Sequence, residues 1–153
     1  MKKIISILLL ALLIIASLSG LTTVCQALDT EDDTVYPGDQ ITITYSFAKD
    51  IPAGCPCYLF RTNYPFQMVK YSSFENHWVL WPMVTADDGY YYDVTASAFT
   101  AYGPEVKAGE KIVSITYEVI KETKVSDLDF SFTELQLYDN KDNNYNNDYS
   151  YLS

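Results

Sequence analysis

Apolar and polar residues alternate with a period of two along much of the sequence. In residues 40–47 and 113–119, isoleucine, valine, tyrosine or phenylalanine occupies every second position, with mainly threonine, serine or glutamate between them. Side chains of a β-strand point alternately to the two faces of a sheet, so each segment has one apolar and one polar face. The pattern therefore predicts strands with one buried face rather than amphipathic helices, whose apolar residues recur every three to four positions.

Other segments rich in aromatic and β-branched residues complete about eight strands at roughly ten-residue spacing. They are residues 35–36, 55–62, 67–71, 77–84, 90–99 and 128–137. Pro82 confines 77–84 to a sheet edge or a bulge, and a change of phase predicts a β-bulge near Thr133 and Glu134. The predicted fold class is all-β, a β-sandwich of jelly-roll or immunoglobulin-like type with about eight to nine strands.

The first 27 residues have the pattern of an export signal. Lys2 and Lys3 precede an apolar run over 4–16, and Cys25-Gln26-Ala27 offers small residues for cleavage. We expect a signal peptide over 1–27, with an uncleaved membrane anchor as the alternative, and hence a protein that is secreted, extracellular or at the cell surface.

The remaining chain is predicted to divide into three parts. Residues 28–34 are expected to be a linker and 35–139 the sandwich. Residues 140–153 are rich in asparagine and aspartate and have almost no aliphatic side chains, so we expect a polar, mobile tail.

Charge and histidine content narrow the function classes. Loss of Lys2 and Lys3 with the signal peptide changes the formal net charge from −10 to −12, because residues 1–27 contain no acidic residue. Such a chain repels nucleic acids and anionic lipids. His77 is the single histidine, which argues against histidine-dependent catalysis and most zinc sites. We expect a binding module, not an enzyme, with no cofactor and no metal of its own.

Cys55 and Cys57 flank Pro56 and are candidates for a local disulfide. In a strand the two side chains would share a face, and export favours oxidation. A ring this small is strained and stabilises little, so two half-buried thiols are the alternative.

Three stretches of the chain carry a resemblance to a known family. They are Tyr36-Pro37-Gly38-Asp39-Gln40-Ile41-Thr42-Ile43, Ile51-Pro52-Ala53-Gly54 leading into an apolar strand that ends near Tyr64-Pro65, and residues 109–119. In this order they resemble the cohesin domain of cellulosome scaffoldins. The resemblance implies a β-sandwich that binds dockerin modules through one exposed sheet face. The implied partner is a dockerin-bearing, polysaccharide-degrading enzyme whose dockerin carries calcium. None of that family's contact residues is carried over.

The tyrosine-rich segment 90–93 supplies candidate partner-binding residues. If Val94, Ala96 and Ala98 point inward, Tyr91, Asp93 and Thr95 point outward and are available to a protein or a sugar. Ordinary cross-strand pairing explains an exposed tyrosine about as well.

Trp78 and Trp81 define an alternative function. Side chains three positions apart cannot share one face of a regular strand, so at least one tryptophan is expected in the core. The other is a candidate platform for a sugar ring, as in a carbohydrate-binding module with exposed Tyr or Trp platforms. A surface domain with a purely structural role is the third hypothesis.

Two acidic patterns fall short of a metal or catalytic site. Residues 142–148 resemble a calcium loop, but the hinge glycine is missing and Ser153 occupies the twelfth position. Asp127 and Asp129 share a strand face, and a glycosidase would need another acid opposite them across a cleft.

Overall fold

The computed structural model describes residues 33–80, 82–87 and 93–153, and the predicted signal peptide, Trp81 and Tyr91 lie outside these ranges. The described chain forms nine strands and two short 3₁₀ turns. The strands are β1 (Thr34–Val35), β2 (Gln40–Ser46), β3 (Cys57–Asn63), β4 (Val69–Asn76), β5 (Met83–Asp87), β6 (Asp93–Phe99), β7 (Lys111–Val119), β8 (Thr123–Lys124) and β9 (Phe132–Tyr138). The 3₁₀ turns span Val125–Asp127 and Tyr149–Tyr151. No helix within the described ranges is long and apolar enough to cross a membrane.

Two antiparallel sheets enclose the core. One has the strand order β2-β7-β4 and the other β5-β6-β3-β9, while β1 pairs with β8 in a separate ribbon. The prediction of an all-β sandwich with eight to nine strands is confirmed. Thr34, assigned to a linker from the sequence, instead belongs to β1 and pairs with Lys124.

The alternation of side chains between faces occurs as predicted in β2 and β7. Tyr45 and Ile115 point into the core and are at most 2% exposed. On the outer face the hydroxyls of Thr42 and Thr116 lie 3.0 Å apart. The period of two thus separates a dry face from a wet face along both strands.

Aromatic side chains from the two sheets meet in the interior. The rings of Tyr45 on β2 and Phe60 on β3 lie 5.0 Å apart between centroids. Trp78 packs against Phe47 at 5.0 Å and against Tyr58 at 5.7 Å. These distances fall in the range of favourable edge-to-face and tilted aromatic pairs.

Irregularities in the strands account for the differences from the predicted elements. The register between β4 and β7 shifts between Tyr71 and Ser73, and β4 continues through Asn76, beyond the short strand predicted over 67–71. Residues 77–80 form no strand, and β5 begins only at Met83, after Pro82. The bulge predicted near Thr133 is confirmed, because Arg61 pairs with Glu134 whereas Thr62 pairs with Phe132.

The C-terminal segment is an ordered part of the sandwich, so the predicted mobile tail is wrong. The backbones of Ser153 and Ser46 exchange hydrogen bonds of 2.8 and 2.9 Å, which join the segment to the edge of β2. The Asn147 backbone donates to Leu135 of β9 over 2.9 Å, and Leu152 is 6% exposed within the core. Residues 140–153 therefore cover free edges of both sheets, which would otherwise invite edge-to-edge association.

Leu152→Ala should lower the free energy of unfolding by about 2–5 kcal/mol, because it removes a buried aliphatic side chain. Urea unfolding followed by tryptophan fluorescence measures the change. The control Ile120→Ala removes a side chain that is 44% exposed and should stay within about 0.5 kcal/mol of the parent. Equal stabilities for the two variants would mean that residues 140–153 do not contribute to the core.

Candidate binding face

The outer face of the four-stranded sheet, here named the β3 face, has a mixed surface. Its outward positions are Cys57, Leu59 and Arg61 on β3, Thr95, Ser97 and Phe99 on β6, Met83 and Thr85 on β5, and Glu134, Gln136 and Tyr138 on β9. They alternate with buried residues such as Tyr58 and Phe60, so strand pairing alone brings four strands' side chains onto one surface.

One end of the β3 face is apolar and exposed. Phe99 is 83% exposed and Met83 is 68% exposed. On the central strand β3, Leu59 pairs with Ser97 of β6. Cys57 pairs with Phe99 of β6 on one side and with Tyr138 of β9 on the other. All of these residues except Tyr138 line a shallow depression. Large apolar side chains grouped on a sheet face are typical of an interaction surface.

The other end of the β3 face is charged. The Arg61 guanidinium lies 3.3 Å from a carboxylate oxygen of Asp93 and 3.4 Å from one of Glu134. It also donates to the Thr95 hydroxyl over 3.2 Å. Burial raises the pKa of Asp93, and the positive charge of Arg61 opposes that rise. The single cation is thus shared between two carboxylates, which leaves this end acidic.

The outer face of the three-stranded sheet differs in character. Thr44 and Ser114 hydroxyls lie 2.7 Å apart, His77 Nε2 lies 2.6 Å from the Ser114 hydroxyl, and Lys70 pairs with Glu118 at 3.0 Å. Among the described residues, the exposed large apolar side chains all lie outside β2, β4 and β7. These polar groups pair with one another, so the β3 face is the stronger candidate for binding a partner.

The predicted partner-binding residues are only partly brought together. Thr95 lies on the β3 face beside Arg61. Asp93 occupies the predicted side of β6 but is 7% exposed, because Arg61 covers it, so the expectation of an exposed carboxylate is wrong. Tyr91 lies outside the described residues. The sequence analysis did not identify Met83 and Phe99 as binding residues. The alternation that points Thr95 and Ser97 outward also predicts an outward side chain for Phe99.

Trp78 is a core residue and not a sugar platform. It is 7% exposed and packs between Phe47 and Tyr58, which leaves no open ring face. Trp78 is thus excluded as a platform, in agreement with the expectation that at least one of the two tryptophans lies in the core. It is buried because the connection after β4 folds inward at this point. Trp81 lies outside the described residues.

The two cysteines are free thiols, so the candidate disulfide is not formed. Cys55 precedes the first residue of β3 and is fully buried, whereas Cys57 is half-buried on the β3 face. The Cys55 thiol donates to the Cys57 carbonyl over 3.3 Å. Burial raises the pKa of Cys55 to about 12. The alternation argument fails here because the strand does not include Cys55.

The acidic patterns form no metal site within the described part of the chain, where no group of three His, Cys, Asp or Glu side chains is placed to hold an ion. Asp127 ends an exposed 3₁₀ turn, and Asp129 is exposed in the following connection.

Comparison with solved structures identifies the fold. The sixth cohesin of scaffoldin B from Acetivibrio cellulolyticus, solved with a Cel5 dockerin, aligns with a TM-score of 0.60 and 8% identity over 72% of this chain and 83% of that chain. A type I cohesin–dockerin complex from Clostridium thermocellum aligns with a TM-score of 0.54 and 18% identity over 72% and 83% of the two chains. A non-cellulosomal cohesin from the archaeon Archaeoglobus fulgidus aligns with a TM-score of 0.51 and 9% identity over 69% and 71%.

Comparisons at the level of sequence find no relative. No protein-family model matches the chain, and a search of curated proteins finds no match. The structural likenesses nevertheless agree with the resemblance inferred from residues 36–43, 51–54 and 109–119. This chain has the cohesin fold, a β-sandwich shared by bacterial scaffoldin modules and an archaeal cohesin outside cellulosomes.

Iodoacetamide at pH 8 should alkylate Cys57 at least about a hundredfold faster than Cys55 in the native protein. With a pKa of about 12, Cys55 is almost entirely in the unreactive thiol form, and its side chain is buried. Peptide mass spectrometry after timed quenching measures both rates, and labelling in urea is the control. A Cys55-Cys57 disulfide in the purified protein, or equal native rates, would contradict the structure.

Proposed function

We propose that this chain is a secreted, non-catalytic binding module that recruits a dockerin-bearing, polysaccharide-degrading enzyme through the β3 face. The observation that carries the proposal is the exposed apolar end of that face, formed by Met83 and Phe99 on a cohesin-fold sandwich. Two of the similar cohesins were solved in complexes with dockerins, which favours the same class of partner here.

The energy of binding would come mainly from the apolar end. Exposed aromatic and methionine side chains are enriched at the centres of protein interfaces, where a few residues carry most of the affinity. Phe99 stands beside the half-buried Cys57, and Met83 beside Ser97 and Leu59. A partner that covers this area removes two large apolar side chains from water without displacing the core.

The charged end would select the partner. Arg61 is held by Asp93 and Glu134, so its guanidinium is already neutralised and the carboxylates exceed the cations there. The whole chain is acidic as well, with a formal net charge of −10. Electrostatic complementarity therefore favours a partner whose surface presents lysine or arginine next to apolar side chains.

Calcium dependence distinguishes the proposed partner from other proteins. In this proposal the ion belongs to the dockerin, whose helices fold around it. The immobilised protein should capture dockerin-bearing hydrolases from the culture supernatant of the producing organism in calcium and release them in chelator. A catch without dockerins, or one that chelator does not change, would contradict the proposal.

Combined Met83→Ala and Phe99→Ala substitution should weaken binding of the captured dockerin-bearing protein by at least about tenfold, because it removes the apolar anchors. Isothermal titration calorimetry measures the dissociation constant. The control Tyr36→Ala removes a large side chain that is 52% exposed outside the β3 face, and its affinity should match the parent.

Both variants should unfold in urea at the parent's midpoint, since the substituted side chains lie on the surface. Unchanged affinity of the Met83 and Phe99 variant would exclude the β3 face as the binding site even if a dockerin-bearing partner is captured.

A further inference from the structure

Three loops meet at one end of the sandwich and enclose a second depression, separate from the β3 face. The loops contain residues 51–54, 102–104 and 139–145. The depression is lined by Pro52, Tyr102, Asn140, Lys141, Asn143 and Tyr145, among others. Its lining combines aromatic, amide and charged side chains.

Asn140 fixes the three loops to one another. Its side-chain oxygen accepts from the Gly103 backbone over 2.9 Å, and its side-chain nitrogen donates to the carbonyls of Ala53 at 2.7 Å and Gly103 at 2.8 Å. Gly103 packs so closely that a Cβ atom there would lie 1.9 Å from the Cys55 backbone. The base of the depression is therefore formed in advance of any ligand, which reduces the entropy lost on binding.

A buried carboxylate orients the third loop. Asp139 is 2% exposed and accepts hydrogen bonds from the backbones of Lys141 and Asn143, from the Asn143 side chain over 2.7 Å and from the Tyr145 hydroxyl over 3.0 Å. Burial disfavours the charge, but these donors outweigh it and lower the pKa of Asp139. Because donors occupy both carboxylate oxygens, Asp139 positions its neighbours and is not available to a cation.

The groups left for a ligand are an aromatic ring, an amide and a lysine ammonium group. Tyr102 is 77% exposed. Asn143 donates its side-chain nitrogen to Asp139, while its amide oxygen has no partner among the described residues. Lys141 is exposed beside them.

We propose that this depression binds carbohydrate, with the Tyr102 ring stacked on a pyranose face and Asn143 and Lys141 hydrogen-bonded to hydroxyl groups. A flat ring flanked by an amide and an amine matches a sugar, which presents one apolar face and a rim of hydroxyls. A phosphate would need more than one lysine, and a peptide strand would need an open sheet edge. The site does not depend on the β3 face, so one module could hold a protein partner and a polysaccharide together.

The probes are three soluble glycans, hydroxyethyl cellulose, xyloglucan and xylan, each cast into native polyacrylamide gels. We expect at least one of them to retard the protein relative to bovine serum albumin. Tyr102→Ala should weaken that binding by about tenfold, and Asn143→Ala should weaken it less. Tyr36→Ala removes an exposed tyrosine from the opposite end of the sandwich, where Gly38 bonds to Val119, and should bind like the parent.

Two results would overturn the carbohydrate site. The parent protein could migrate like albumin in all three gels, or Tyr102→Ala could bind the retarding glycan as well as the parent does. If Tyr102→Ala weakens capture of a protein partner while glycan binding is unchanged, the depression belongs to a protein interface instead. Matched urea midpoints for the parent and both Tyr variants show that any loss comes from the site and not from unfolding.

Discussion

The aromatic layer between the two sheets is the interaction on which the rest of the structure depends. Tyr45 on one sheet contacts Phe60 on the other, and Phe60 in turn packs against Phe132 at 6.0 Å. Tyr58 and Trp78 extend the layer toward the end of the sandwich. Each ring buries a large apolar area, and the tilted and edge-on arrangements fix the spacing of the sheets. Since inward residues alternate with outward ones, the same packing determines which side chains face a partner.

Closure of the sheet edges is the second requirement of this fold. Both β9 and β2 would expose unpaired backbone groups without the C-terminal segment, which bonds to Leu135 and to Ser46. Asparagine side chains contribute directly, because the Asn146 side chain accepts from the Leu137 backbone over 2.8 Å. The segment contains one aliphatic residue, Leu152, which is buried. Backbone hydrogen bonds, Leu152 and partly buried tyrosines that pack against the core together hold the segment in place. The same segment also supplies the groups that donate hydrogen bonds to Asp139 at the depression beside Tyr102.

Local patterns in the sequence predict the sandwich well where each strand has one dry and one wet face. β2 and residues 113–119 of β7 follow the alternation, so their inward residues could be assigned correctly. At the start of β7 the pattern is interrupted, because the register with β2 shifts and Ile112 and Val113 are both buried. The C-terminal end of β4 could not be predicted, because its register with β7 shifts around Ser72 and the period of two is interrupted there. The order of the C-terminal segment could not be predicted from the sequence either. Its asparagine side chains accept hydrogen bonds from backbone groups of β9, and only the folded chain brings these groups together.

The functional residues show the same division between local and long-range information. Alternation gives the correct side of β6 for Asp93 and Thr95, but the burial of Asp93 depends on Arg61, which lies 34 positions from Thr95 and contacts both. The position of Trp78 in the core likewise follows from contacts with Phe47 and Tyr58 across the sandwich. Exposure of Phe99 depends on where β6 ends. Sequence periodicity therefore indicates the face of a strand, and tertiary packing decides whether that face is open.

The binding-face assignment is tested most directly by nuclear magnetic resonance of the ¹⁵N-labelled protein titrated with its purified dockerin-bearing partner. The assignment predicts that the largest chemical-shift changes fall on β3, β5, β6 and β9, with Met83 and Phe99 among them, and that β2, β4 and β7 change little. Shift changes centred on the hydroxyl-rich outer face of β2 and β7 would contradict it.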